Sequence, residues 1–229
     1  MRQSKRQKEV NQFVDKTKVY SLEEAVEVLQ GCPKPKFDES LEFALKLGVD
    51  PKKSDQQVRG TVFLPHGTGK RRKVVVFAKG PKAEEAQKAG ADLVGEEDLF
   101  DKIKGGWLDF DILIATPDMM RLVGRLGKLL GPRNLMPTPK AGTVTLEVGR
   151  AVQEMKAGRV EFKTNKMGVI DAAVGKLSFT KDQLVENARA LISAIISARP
   201  ASAKNYMQGL SLASTMGPGL KISARETSI

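Results

Sequence analysis

Cysteine and histidine are almost missing from these 229 residues, which hold one of each, Cys32 and His66. A lone thiol closes no internal disulfide, and one Cys with one His is too few ligands for a common zinc set, so neither a disulfide scaffold nor a structural metal is expected. With a single imidazole and no G-x-S-x-G elbow around any serine, a nucleophile–base pair has no place to form. Aromatic residues are scarce too, at 5%, which disfavours the base-stacking platforms of RRM and OB folds. No apolar run approaches the ~20 residues of a membrane span, and the basic start Met1-Arg-Gln-Ser-Lys-Arg6 leads into no apolar h-region. A reducing cytoplasm is the expected location.

What is abundant is positive charge. Lys and Arg number 38 against 27 Asp and Glu, a formal charge of +11, which points to a polyanionic partner such as nucleic acid or acidic lipid. A merely soluble basic protein is the plainer reading. The excess is spread along the chain, with 12 basic against 10 acidic residues in 1–67, 16 against 12 in 68–158, and 10 against 5 in 159–229. Local clusters stand at Lys70 to Lys73, at Lys163 with Lys166, and along Arg121, Arg125, Lys128 and Arg133.

The hydrophobic content of 41% and this length allow one large domain or two small ones. Residues 4–16 and 21–30 read as helices, the second opened by a capping box of Ser21 and Glu24. Leu41, Phe43, Leu45 and Leu47 alternate with Glu42, Ala44 and Lys46, the period of a half-buried strand, and 58–64 reads as a second one. After Pro65 the pattern changes to continuous apolar runs between helices, as in a sheet buried on both faces. Strands are expected at 73–78, 92–94 and 110–115, helices at 81–90, 96–104 and from Pro117 to Leu130, and a last weaker strand and helix within 143–156. Alternation returns at Val160 with Phe162, at Leu210 with Leu212 and at Leu220 with Ile222, around a helix whose stripe runs from Leu184 to Ile196. The expected fold is α/β with two domains: a discontinuous α+β antiparallel-sheet domain from 1–67 and 159–229, and an inserted α/β Rossmann-like three-layer sandwich from 68–158. Gly67, Gly69 and Gly158 make the expected hinge.

Gly67-Thr-Gly-Lys70 invites a phosphate-loop reading, but that motif needs glycine where Leu64 stands and Ser or Thr where Arg71 stands. The first strand of the insert is followed by no G-x-G-x-x-G. No cofactor is expected, and a nucleotide-dependent enzyme using the insert is the alternative of a different class. Ser214-Thr-Met-Gly-Pro-Gly219 offers hydroxyls and close backbone approach to sugars, or else forms a tight strand-connecting turn.

Arg121-Leu-Val-Gly-Arg-Leu-Gly-Lys-Leu-Leu-Gly-Pro-Arg-Asn-Leu-Met-Pro137, with Pro139-Lys-Ala-Gly-Thr143 after it, closely resembles the signature of the large-subunit ribosomal protein L-one family. Phe37-Asp-Glu-Ser40, Gly158-Arg-Val-Glu-Phe162 and Ser214 to Gly219 fit the same family, in the bacterial order and over essentially the whole chain. The resemblance implies a non-enzymatic protein of the mobile side stalk beside the E site. It implies binding to folded large-subunit rRNA, help in release of deacylated tRNA, and repression of translation through similar folds in the operon's own mRNA. It implies an rRNA surface on the discontinuous domain made of Lys36, Phe37, Ser40, Lys163, Thr164, Asn165, Lys166, Gly168, Ser211, Thr215, Met216 and Gly217. Where relatives often read Arg-Asn-Asp-Lys-Thr-Gly, this chain has Lys163-Thr-Asn-Lys-Met-Gly168, and Asp171 stands where His is frequent. The loop from Gly131 to Gly142 either touches RNA or caps the sheet of the insert.

Overall fold

Leu41, Phe43, Leu45 and Leu47 are buried while Glu42 and Lys46 are exposed, so this segment becomes a strand with one dry face, β2 (Ser40–Leu47). The computed structural model describes residues 5–15, 17–201, 203 and 206–223. Ser4 and Lys16, the ends of the first expected helix, lie outside them. The chain divides into two units, Met1–Gly69 with Val160–Ile229, and Lys70–Arg159. Thr68 and Gly69 fall with the first unit rather than the insert, because Thr68 is buried and a Cβ on Gly69 would stand 2.8 Å from Lys176. Arg159 falls with the second, where its guanidinium pairs with Glu154 at 2.5 Å.

The first unit holds α1 (Lys5–Phe13), β1 (Val19–Tyr20), α2 (Leu22–Gly31), β2 and β3 (Arg59–Phe63). After the insert come β7 (Arg159–Lys163), of which all but its first residue belongs to this unit, β8 (Val169–Lys176), α8 (Lys181–Ser197), β9 (Met207–Ser214) and β10 (Gly219–Ile222). Five strands form one sheet in the order β1-β10-β9-β2-β8, antiparallel except for the β1–β10 edge. Its register stacks like on like: Phe43 lies opposite Leu212 and Ala172, and Leu45 opposite Leu210 and Ile170. The dry face so made packs with α2, through Leu22, Ala25, Val26 and Leu29, and with α8, through Leu184, Ala188, Leu191 and Ile195. Both helices open on full capping boxes, Ser21 with Glu24 and Thr180 with Gln183.

One sequence expectation changes here and one strand was not expected. The strand at 58–64 does not join the large sheet: β3 pairs with β7 in a separate two-stranded ribbon that packs on α8. β8, the partner of β2, had no sequence counterpart, because Asp171, Ala172, Ala173 and Gly175 blur its alternation.

The second unit holds β4 (Val74–Phe77), α3 (Pro81–Lys88), β5 (Leu93–Gly95), α4 (Glu97–Lys104), β6 (Ile112–Ala115), α5 (Met120–Arg125), α6 (Gly127–Leu130) and α7 (Val148–Ala157). The strands run parallel in the order β5-β4-β6. Val75, Phe77 and Leu113 face one apolar cluster with α4, α5 and α6; Val74, Val76 and Ile114 face another with α3 and α7. That is why these strands read as continuous apolar runs. The weaker strand expected near 143 reduces to a single bridge, Ala115 to Val144. The helix expected from Pro117 breaks into a 3-10 turn, Pro117–Met119, then α5 and α6, which meet at Leu126 (φ −87°, ψ 1°) between Gly124 and Gly127, both weak helix formers.

Candidate nucleic-acid interface

The strand alternation that buries one face of the large sheet leaves the other open. Across it, Ala44 of β2 stands between Ser211 of β9 and Asp171 of β8, and Glu42 stands between Ala213 and Ala173. Lys46 lies opposite Gly209, and Lys221 opposite Ser211. Small side chains therefore pave the middle of the sheet, and Lys46 and Lys221 rise from it exposed. Backbone hugged by Ala, Gly and Ser can meet a ribose face closely, while flanking ammonium groups reach phosphates.

At one end of β2 a turn and a loop are laced to the strand. The Ser40 N–H donates to Thr215 Oγ1 at 3.0 Å, the Thr215 N–H donates to the Ser40 carbonyl at 3.1 Å, and the Thr215 hydroxyl reaches that carbonyl at 3.3 Å. Ser40 is itself buried. The turn closes with the Gly217 N–H on the Ser214 carbonyl, and a Cβ at Gly217 would collide with Ser214 Oγ. The Lys36–Glu39 loop is held from three sides. Arg6 pairs with the buried Glu39 at 2.9 Å, Lys176 donates to the Asp38 carbonyl at 3.0 Å, and Ser178 donates to the Asp38 carboxylate at 2.8 Å. On these rigid supports Phe37 and Met216 stay 52% and 62% exposed, apolar groups offered outward.

At the other end sits the hairpin between β7 and β8. Asn165 Oδ1 accepts from the N–H groups of Met167 (2.8 Å) and Val169 (3.0 Å), and its amide donates to Asp171 at 3.2 Å. Gly168 adopts φ +73°, where a Cβ would press on the Val49 carbonyl at 3.2 Å, and its own carbonyl accepts from Leu47. Thr164 is buried, its hydroxyl donating to the Val58 carbonyl at 3.3 Å. Lys163, Lys166 and Met167 are exposed.

The twelve residues singled out in the sequence thus do not meet in a pocket. Lys36, Phe37, Ser40, Thr215, Met216 and Gly217 gather at one end of β2, 163–168 at the other, and Ser211 lies between, a stripe of about 20 Å at the rise of a β-strand. Ser40, Thr164 and Gly168 shape the stripe from beneath; Lys36, Phe37, Lys163, Lys166 and Met216 stand on it. The sequence reading missed Glu42, Lys46 and Lys221 as site residues. Their signal was present, since the wet positions of an alternating strand belong to whatever covers that face. Among the described residues, Lys36, Lys46, Lys163, Lys166 and Lys221 make no ion pair, and no cluster of His, Cys, Asp and Glu could hold a metal. No described helix is long and apolar enough to cross a membrane. The Gly67–Lys70 segment runs on into β4, not into a helix, so it lacks the helix N-terminus that a phosphate loop requires.

Residues 28–218 match the pattern of the "Ribosomal protein L1p/L10e family". The chain is 57% identical over 229 residues to "Large ribosomal subunit protein uL1" of Protochlamydia amoebophila (strain UWE25), covering 100% of this chain and 97% of that protein. It is 57% identical over 213 residues to the protein of the same name in Chlamydia caviae, covering 93% and 92%. With the one in Chlamydia trachomatis serovar D it shares 54% over 223 residues, covering 97% and 96%. On a match of this extent and identity, the chain belongs to the ribosomal protein L1p/L10e family.

Proposed function

We propose that this protein binds folded large-subunit rRNA along the open face of its five-stranded sheet and thereby builds the mobile side stalk near the E site. It is a structural, non-enzymatic protein of the large subunit in the cytoplasmic ribosome. The observation that carries the RNA reading is the stripe itself: a small-residue sheet face, exposed Phe37 and Met216 at one end, and five lysines without ion pairs among the described residues. Stacking platforms need several rings, which this face lacks; reading the shape and 2′-hydroxyls of a folded RNA needs flatness and charge. Release of deacylated tRNA and repression of the operon's own mRNA through the same stripe follow from this reading, as does a hinge at Gly67, Gly69 and Gly158.

The test compares a large-subunit rRNA fragment with duplex DNA of equal length at matched salt. The rRNA is expected to bind far more tightly, and its log affinity to fall with log salt at ~0.9 per phosphate contact, a slope near −4 if most of the five lysines engage. Lys163→Gln with Lys166→Gln should flatten that slope by about 2. Equal affinity for the DNA would sink the claim that RNA shape is read.

A further inference from the structure

All the net charge of the second unit lies in one stretch. Residues 119–146 contain Arg121, Arg125, Lys128, Arg133 and Lys140 and not one carboxylate, while the rest of Lys70–Arg159 is balanced at twelve basic and twelve acidic residues. Elsewhere in this unit carboxylates are interspersed with the cations and four of those cations are paired: Lys73 with Asp109, Lys156 with Asp92, and Arg150 and Arg159 with Glu154. The five of 119–146 are exposed and make no ion pair among the described residues.

Their placement follows from the core. Met119, Val123, Leu126 and Leu130 are buried against β4 and β6, so Arg121, Arg125 and Lys128, at i, i+4 and i+7, share the outer face of α5 and α6. Gly124 lies on that face as well, and Gly131 just beyond it. Neither is required by space or by backbone conformation: both have ordinary negative φ, and a Cβ on either would meet nothing within 4 Å. Glycine weakens a helix relative to alanine, and here no internal contact repays it. It does leave bare backbone between three cations.

We propose that this outer face of α5 and α6, continuing to Arg133, is a second RNA-binding surface that takes the phosphodiester backbone of a folded RNA, separate from the stripe on the sheet of the first unit. The inference rests on the reading of this protein as an RNA binder. Guanidinium and ammonium groups at helical spacing fit a row of phosphates, and Gly124 admits the sugar–phosphate chain close to the helix.

The test uses the full chain and an RNA hairpin of about 16 base pairs, in a Lys163→Gln/Lys166→Gln background so that the first surface is weakened. Adding Arg121→Gln, Arg125→Gln and Lys128→Gln is expected to lower hairpin affinity at least tenfold and to flatten the log–log salt slope by about 2.7, at ~0.9 per contact. Gly124→Ala separates binding from folding: it should raise the melting temperature, as helix propensity dictates, and weaken hairpin binding several-fold. Unchanged affinity and slope in the triple variant overturn the proposal, and so does a Gly124→Ala protein that is stabilised and binds as before. Polyglutamate binding as tightly as the hairpin, with the same sensitivity to the triple variant, would assign the face to an acidic protein and also overturn it. The two RNA surfaces fail separately: intact rRNA binding in Lys163→Gln/Lys166→Gln alone rejects the first surface, whereas the hairpin slope judges only the second.

Discussion

Asn187 is a buried polar group of the first unit with three hydrogen bonds inside it. It is fully buried in α8, where its Oδ1 accepts from the His66 N–H at 3.1 Å while its amide donates to the carbonyls of Gly67 (3.0 Å) and Val174 (2.9 Å). One side chain thus ties the exit of the first chain segment to both α8 and β8. Asn187→Ala removes three neutral hydrogen bonds at about 1 kcal/mol each, ~3 kcal/mol in all. For a chain of this size that is roughly 6–12 °C in melting temperature. Asn187→Asp keeps the acceptor for His66 but turns a carboxylate toward two carbonyls, so near neutral pH it should lose more than the alanine variant. Burial against carbonyls raises the carboxyl's folded pKa above its unfolded value. The deficit of the aspartate variant should therefore shrink as pH falls through that folded value, the protonated acid regaining one donor. Thermal melts of both variants across pH 4–8, followed by near-UV signal, decide it. An alanine variant within about 0.5 kcal/mol of the parent would refute the reasoning, as would an aspartate variant whose deficit is flat in pH.

Thr215→Val keeps the volume and deletes the acceptor that holds the Ser40 N–H; it should cost about 1–2 kcal/mol and lower rRNA affinity only in step with stability, since the hydroxyl ties the end of β9 to the start of β2. Full stability with lost affinity would instead make that hydroxyl a recognition group. Gly168→Ala forces a side chain at φ +73° against the Val49 carbonyl and should destabilise the β7–β8 hairpin by more than ~1 kcal/mol, seen as faster amide exchange at Leu47. Burial pushes the Tyr206 hydroxyl, which donates to the Ile195 carbonyl at 2.8 Å, up to about 12. It should therefore ionise only near pH 12 in an absorbance titration, and its contribution to stability, complete below the unfolded value near 10, should be lost as pH rises toward 12.

The parts of this fold that were legible in the sequence are those where one physical signal dominates. Ser21 with Glu24, the Leu41–Leu47 alternation and the α8 stripe each specify an element by local chemistry, and each is found. β8 escaped because Ala172 on its dry face and Asp171 and Ala173 on its wet face offer little apolar contrast, so its strand character comes from pairing with β2, where Phe43 lies opposite Ala172 and Leu45 opposite Ile170. The pairing of β3 with β7 escaped because partner choice between distant strands leaves no local trace. In the candidate site, the resemblance named the two ends of the stripe, but burial of Thr164 and Ser40 and the bracing role of the Thr215 hydroxyl depend on which carbonyl lies within 3.3 Å. No spacing in the sequence encodes that.

On the proposed RNA reading, the stripe divides its labour between groups that hold and groups that read, and the division has a physical reason. A hydroxyl or amide already bonded within the protein gains little from a ligand, because its exchange partner would be a bond it must break; an ammonium group in water gains by releasing counterions. Asn165, Thr164 and Thr215 are committed inward, so under the proposed RNA reading the free energy of binding would come from the lysines, from Phe37 and Met216, and from the bare backbone of Gly209 and its small neighbours. Charge alone would bind any polyanion. What distinguishes a folded RNA is that the inward bonds hold Phe37 at one end and the 163–168 hairpin at the other about 20 Å apart on one sheet, a fixed spacing that only a ligand of matching surface can satisfy at both ends at once.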